Sequence, residues 1–496
     1  MQFSRLGWVS AFALSWGVIP FTLPITIMNR LSLSYAVAQT SQDQAGESIM
    51  IHLPQPQPPQ FTPYQEYLET NEPAQRSPND FNPISIDELN QPLRFTPYQE
   101  YLETGDSVQR PTVELSQTAQ EQLAEAARLL QQGEQQFQTS QYRAAIESYQ
   151  QALDLCRSAA VRQAFPQESR IGEASALNNL GAAYNFLSQH QQAIDYLQQA
   201  LPIFREVGDR IGEANALLNL GNAYSFLSQY QRAIDYYQQV LPIFREVGDR
   251  IGEANALLNL GNAYSFLSQY QRAIDYYQQV LSIFREVGDR IGEANALLNL
   301  GNAYYFLNQY QRAIDYYQQA LPIFQQVGNR TGEANALGNL GASYRSLGQY
   351  QQAIDYYQQA LPIHRQVGNR IGEANALTNL GNAYGSLSQY QQAIDYYQQA
   401  LPIFRQVGNR AGEGTLLANI GRLYAAQNSP QSAIQQLQLS VEVREAIRAD
   451  LRGLPLADQQ AYINSIAEDY RLLADLLRQQ NRNQEAQTVT TFSRGA

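Results

Sequence analysis

Three histidines and one cysteine are the residues of this chain whose types could do nucleophilic or metal chemistry. A thiolate beside an imidazole makes a nucleophile with its base, and a cluster of such ligands makes a zinc site. Their spacing supports neither. Cys156 is alone, so it can form no disulfide within the chain and head no zinc cluster. Beside Leu155 it reads as a small buried hydrophobe. His52 lies in a proline-rich stretch, His190 stands where another unit has Tyr230, and His364 where another has Phe244. The last two read as packing substitutions. No H-x-x-x-H falls on a helical pattern, and no glycine-rich loop follows a strand pattern. Asp235 and Glu253 recur once per unit, which suits solvated faces and helix-end charge compensation better than acid–base work. The reading is therefore non-enzymatic, with no cofactor, metal or small-molecule substrate.

Charge narrows the partners. Arginine supplies all 33 bases against 45 acids, for a formal net charge of −12. A lysine-free acidic chain has no electrostatic footprint for phosphate backbones, so nucleic acid is excluded as a general partner. An anionic membrane surface is disfavoured for the same reason.

The elements behind these residues come from repetition. From Ile171 a 40-residue unit takes over, beginning at 171, 211, 251, 291, 331, 371 and, degraded, at 411. Units 211–250 and 251–290 differ only where Pro242 becomes Ser282. Within a unit, Leu217, Leu220, Tyr224 and Leu227 form one helical stripe, and Ala233, Ile234, Tyr237, Leu241 and Phe244 form a second. Ser228-Gln229 marks the turn between them. Gly248 suits a left-handed helix end, and Asp249 the N-cap that follows. One helical hairpin cannot bury its own apolar face, so neighbours must stack. Gly221, like Gly181, Gly261, Gly301, Gly341, Gly381 and Gly421, costs a helix about 0.5–1 kcal/mol against alanine. Repeating that cost implies a close approach that leaves no room for a Cβ.

Leu220-Gly221, Tyr224, Tyr230, Ala233, Tyr237 and Val240 resemble the tetratricopeptide repeat. The added Gly248-Asp249-Arg250-Ile251-Gly252-Glu253 is similar to the 40-residue variety of Pins/LGN-type scaffolds. An irregular first unit carries Gly133, Tyr142, Ala145, Tyr149 and Ala152 in the same places, with Gln136 for the tyrosine. The resemblance implies an all-α fold, a right-handed superhelical solenoid of stacked antiparallel helix pairs over 120–450. Residues 443–477 resemble the stretch that joins such repeats to the CHAT peptidase domain of bacterial proteins, but the chain stops at Ala496 before such a domain. Residues 451–496 then read as a capping helix pair.

In that family the first helix of each pair lines a concave groove. Carried over, its inward positions are Asn215, Leu218, Asn222, Ser225 and Phe226, then Asn255, Leu258, Asn262, Ser265 and Phe266, then Asn295, Leu298, Asn302, Tyr305 and Phe306. Asparagine both donates and accepts, so a ladder of them suits an extended peptide backbone, while the phenylalanines would supply apolar pockets. Later units are more open and polar, with Gly338, Ala342, Arg345 and Ser346, then Thr378, Gly385 and Ser386. Asn219 and its equivalents persist in every unit and read instead as inter-repeat hydrogen-bonding elements.

The N-terminus concerns location. Arg5, the apolar run from Leu6 to Met28 and Ala36-Val37-Ala38 lay out a secretory signal peptide over 1–38, giving a periplasmic or extracellular protein. An uncleaved membrane anchor is the alternative, opposed by Pro20 and Pro24. Residues 39–115, rich in Pro and Gln, read as a disordered tether. It contains FTPYQEYLET twice, from Phe61 and from Phe95, as a linker duplication or a docking motif presented twice. Three functions follow: an exported adaptor that binds a protein segment in its groove, an envelope spacer or assembly element, or a regulatory partner of a separately encoded CHAT-type peptidase. The chain is expected as a monomer or a weak self-associator.

Overall fold

The computed structural model of the protein describes residues 114–453 and 456–493. The export segment, the tether up to residue 113 and both copies of the decapeptide lie outside the described residues. Helices α1 (Glu114–Gln138) and α2 (Tyr142–Cys156) form the irregular first pair. A short α3 (Ala159–Ala164), which the sequence pattern did not suggest, leads into α4 (Pro166–Phe186) and α5 (His190–Val207). The regular pairs are α6 (Arg210–Phe226) with α7 (Tyr230–Val247), α8 (Arg250–Phe266) with α9 (Tyr270–Val287), and α10 (Arg290–Phe306) with α11 (Tyr310–Gln326). They continue as α12 (Arg330–Ser346) with α13 (Tyr350–Gln366), and α14 (Arg370–Ser386) with α15 (Tyr390–Gln406). After α16 (Arg410–Ala426) and α17 (Pro430–Asp450), the chain ends in α18 (Leu456–Gln479) and α19 (Asn483–Ser493). The described residues contain no strand.

Local chemistry sets each boundary. Asp249 caps α8 by accepting from the Gly252 backbone N–H at 2.8 Å, and Asn329 caps α12 in the same way. Gly248 takes φ 74°, the left-handed conformation that only glycine adopts freely, and the Asp249 N–H closes the helix end on the Phe244 carbonyl at 2.9 Å. Ser228, at φ 58°, turns the chain from α6 into α7.

Packing explains the recurring glycine. A Cβ on Gly221 would stand 2.4 Å from Cε1 of Tyr237, so the ring of the second helix occupies the space a side chain would need. Gly252 plays the same part between units, where a Cβ would lie 2.5 Å from the Phe244 ring. Successive first helices approach one another more closely than successive second helices do, so the stack curves with its first helices on the inside. No helix among the described residues is long and apolar enough to cross a membrane.

One expectation is corrected. Glu253 does not lie on a solvated face: it is buried, accepts from Arg245 Nε at 2.7 Å and pairs with Arg250. Its first-turn position does oppose the helix dipole. The burial follows from stacking, which presses the start of each first helix against the preceding pair. Only the two arginines make that buried charge tolerable. Asp235, by contrast, is exposed.

Candidate functional site

The inner face is built by the first helices, and the structure divides the expected groove residues into two groups. Asn255 is exposed, and Asn295, Leu218, Leu258 and Leu298 are half-buried. These five present surface on the inside of the curve. Asn215, at the tighter N-terminal end of the array, is buried.

The second asparagine row is committed to the fold. Asn222 Oδ1 accepts from the Tyr237 hydroxyl at 2.9 Å and from Asn259 Nδ2 of the next unit at 3.0 Å. Asn262 accepts from Tyr277 at 2.8 Å. Asn302 accepts from Tyr317 at 2.8 Å and from Asn339 at 2.9 Å. The expectation that these amides offer donor and acceptor together to a peptide is therefore corrected, because each acceptor oxygen already ties two helices together, and those of Asn222 and Asn302 tie two units as well. Asn259 and Asn339 are the inter-repeat donors, the role read for the Asn219 row, and Asn219 itself donates to Asn178 at 3.3 Å.

The phenylalanines also differ from expectation. Phe226 stacks on His190 with ring centroids 4.8 Å apart, Phe266 on Tyr230 at 4.9 Å, and Phe306 on Tyr270 at 5.2 Å. They close the seams between units rather than floor separate pockets. Phe306 remains 40% exposed, and the next unit has Ser346 at the equivalent position. A second series stacks within the pairs from α4–α5 to α14–α15, as in Tyr224–Tyr236 at 5.4 Å, with Arg232 lying 5.5 Å from the Tyr224 ring. The first unit replaces that stack with a hydrogen bond from Ser148 to Gln136 at 2.8 Å.

The chemistry-bearing residues are in packing roles. Cys156 is fully buried, and burial pushes its thiol up to about 12. Burial also lowers His190 to about 4, consistent with its neutral ring stacking on Phe226. His364 is buried against Gly372 and lowered to about 4 by desolvation, with Glu373 opposing.

Units 291–330 and 331–370 break the pattern together, and the residues alone did not show how closely the changes gather. Tyr305 replaces serine, is buried, and its hydroxyl lies 3.0 Å from Ser346 Oγ. Its phenol is raised to about 12 by burial, with Ser346 and the charge of Arg345 opposing. Ala342 removes the asparagine that would accept from Tyr357, whose buried hydroxyl instead feels the Arg345 guanidinium. A Cβ on Gly338 would meet nothing within 4 Å, so the space held by Leu218, Leu258 and Leu298 elsewhere is open here.

Comparison with known proteins agrees with this geometry. The sequence profile of the tetratricopeptide repeat matches residues 172–246, 252–326, 332–406 and 387–446. Among solved structures the chain is similar to a signal-transduction ATPase with a tetratricopeptide repeat sensor from Pyrococcus horikoshii. That match has 16% identity and a TM-score of 0.50, covering 70% of this chain and 52% of that one. At that identity the likeness is one of fold. Aspartyl phosphate phosphatase F from Bacillus subtilis matches at 15% identity and TM-score 0.45, covering 79% of this chain and 97% of that one. The quorum sensor NprR from B. thuringiensis matches at 17% identity and TM-score 0.39, covering 62% and 96%. No curated protein matches the chain in sequence.

Proposed function

The chain belongs to the tetratricopeptide-repeat family, and we propose that it is a non-enzymatic scaffold that holds an extended protein segment along the inside of its curve. The observation that carries this reading is the row Asn255, Leu258, Asn295 and Leu298, which leaves amides and apolar side chains accessible on a face fixed by bonds behind it. An extended segment has backbone donors and acceptors along its length, and surface amides can meet them without reading sequence. Cys156, His190 and His364, the candidates for nucleophilic work, serve packing. The reading of residues 1–38 as a signal peptide favours a scaffold exported from the cytoplasm, with an uncleaved membrane anchor as the alternative.

The test is a pull-down from envelope and culture-medium fractions with the tagged full chain beside an Asn255→Arg, Asn295→Arg variant. Arginine there fills the inner face without touching the inter-unit bonds. A protein held by the wild type and lost by the variant supports the groove. Equal capture by both would remove the binding site from this face.

The near-identity of 211–250 and 251–290 favours a second reading, a spacer or assembly element. Identical units offer identical surfaces and add length uniformly. A chain that captures nothing and stays monomeric at high concentration fits the spacer. A regulatory partner of a separate CHAT-type peptidase would instead require such a peptidase among the captured proteins.

A further inference from the structure

We propose that the seams between successive second helices, on the outer side of the curve, bind a neutral polysaccharide. This site lies apart from the inner face and does not depend on what that face holds.

The seam between α9 and α11 opens into a cleft of about 550 Å³. Leu281 of α9 and Tyr304 of α10 line it, with Arg312, Asp315, Tyr316 and Gln319 of α11. Tyr304 and Tyr316 stack with centroids 5.3 Å apart, and the Arg312 guanidinium lies 5.5 Å from the Tyr304 ring. Arg312, Asp315 and Gln319 are exposed, and Tyr316 is half-buried.

The same residue types recur at the two seams before it. Tyr264 with Arg272, Asp275, Tyr276 and Gln279 lies on the α7–α9 seam, and Tyr224 with Arg232, Asp235, Tyr236 and Gln239 on the α5–α7 seam. Their ring stacks and guanidinium positions match, with Arg232 and Arg272 also 5.5 Å from their tyrosines. The next two units have Gln352 and Gln392 in place of the arginine. Three equal clefts therefore stand in a row.

Local bonds hold the polar side chains. Arg312 donates to Gln309 at 3.0 Å, Asp315 accepts from Gln311 at 3.2 Å, and Gln319 donates to the Asp315 carbonyl at 3.0 Å. The same bonds form around Arg272 and Arg232. Such preorganisation lowers the cost of ordering these groups on a ligand.

A pyranose ring presents an apolar C–H face and an edge of hydroxyls that both donate and accept. A tyrosine ring suits the first, while a carboxylate acceptor beside guanidinium and amide donors suits the second. Charge selects a neutral sugar. Arg312 is offset by Asp315, and Arg285, at the end of the cleft, pairs with buried Glu293 at 2.8 Å. A balanced cleft in a chain of net charge −12 has no excess of cation for a polyanion. Repetition selects a polymer, because equal clefts one unit apart require a ligand that offers the same chemistry at every step, and linked sites add avidity. A polysaccharide meets that condition.

The experiment is affinity electrophoresis of the full chain through native gels with and without a soluble β-glucan, mannan or dextran, and with polygalacturonate as the anionic comparison. At least one neutral polymer should retard the wild type. Arg232→Gln, Arg272→Gln, Arg312→Gln should weaken that binding about a hundredfold, the scale on which linked sites exceed one, and Arg312→Gln alone by less. Glutamine already stands at Gln352 and Gln392, so the fold accepts it. The inner-face variant Asn255→Arg, Asn295→Arg should be retarded as the wild type is. Retardation by no neutral polymer, or by polygalacturonate alone, would overturn the proposal. So would equal retardation of the triple variant with an unchanged melting temperature, or loss of retardation in the inner-face variant. None of these outcomes bears on protein capture by the inner face.

Discussion

Asn259 of one unit donates its side-chain N–H to Asn222 of the unit before it at 3.0 Å, and Tyr237 donates to the same oxygen at 2.9 Å. One amide oxygen therefore ties the two helices of a hairpin to each other and to the next hairpin. Asn222→Ala should strip both donors of their acceptor and cost about 1–3 kcal/mol, the penalty for part-buried groups left unmade. Asn255→Ala, on the same helix face but without such a bond, should stay within about 0.5 kcal/mol. Urea unfolding of the two variants measures the contrast, and equal midpoints would remove Asn222 from the seam.

Glycine placement yields an opposed pair. Gly221→Ala forces a methyl into the Tyr237 ring and should destabilise the chain by about 1–3 kcal/mol, as overpacking does. Gly338→Leu enters open space that leucine fills in three other units, so it should leave stability unchanged or raise it. Thermal melts of both decide the matter, and a Gly338→Leu chain that melts well below wild type would contradict the open space.

The buried glutamates are not equivalent. Glu253 has two arginine partners, whereas Glu333 has Arg330 and the neutral amide of Gln325 at 3.1 Å. Glu253→Gln should therefore lose more stability than Glu333→Gln. Because the arginines are half exposed, the larger loss should be about 1–2 kcal/mol. Identical losses in denaturant titrations would show that the second guanidinium contributes nothing.

His364 predicts a pH dependence. Burial lowers it from 6.5 to about 4 in the folded chain. Between those values the unfolded chain binds the proton and the folded chain does not, so stability falls as pH drops from 6.5 toward 4 and levels off below. The shift corresponds to roughly 3 kcal/mol by pH 4. His364→Phe, which restores the residue of the other units, should make that part of the profile about half as steep, the rest coming from His190, which burial lowers to the same value, while the carboxylate-driven loss at lower pH remains. Parallel profiles for the two proteins would refute the assignment.

Much of this protein was written in its repeat. The period, the two apolar stripes, Gly221, Gly248 and Asp249 determine a stacked array of helix pairs, because each follows from spacing or backbone conformation within one unit. The persistence of the Asn219 row through degraded units likewise pointed to a role between repeats. Tertiary structure decided the rest, since it depends on which atoms meet across seams. Glu253 is chemically an ordinary surface acid until stacking buries it between two arginines. Asn222 and Asn255 carry the same amide, yet one has its oxygen taken by Tyr237 and Asn259 while the other stays exposed. Gly338, Ala342 and Arg345 read singly as a more open, polar half of the groove and Tyr305 as part of the preceding apolar half, and only the adjacency of α10 and α12 brings Tyr305 against Ser346.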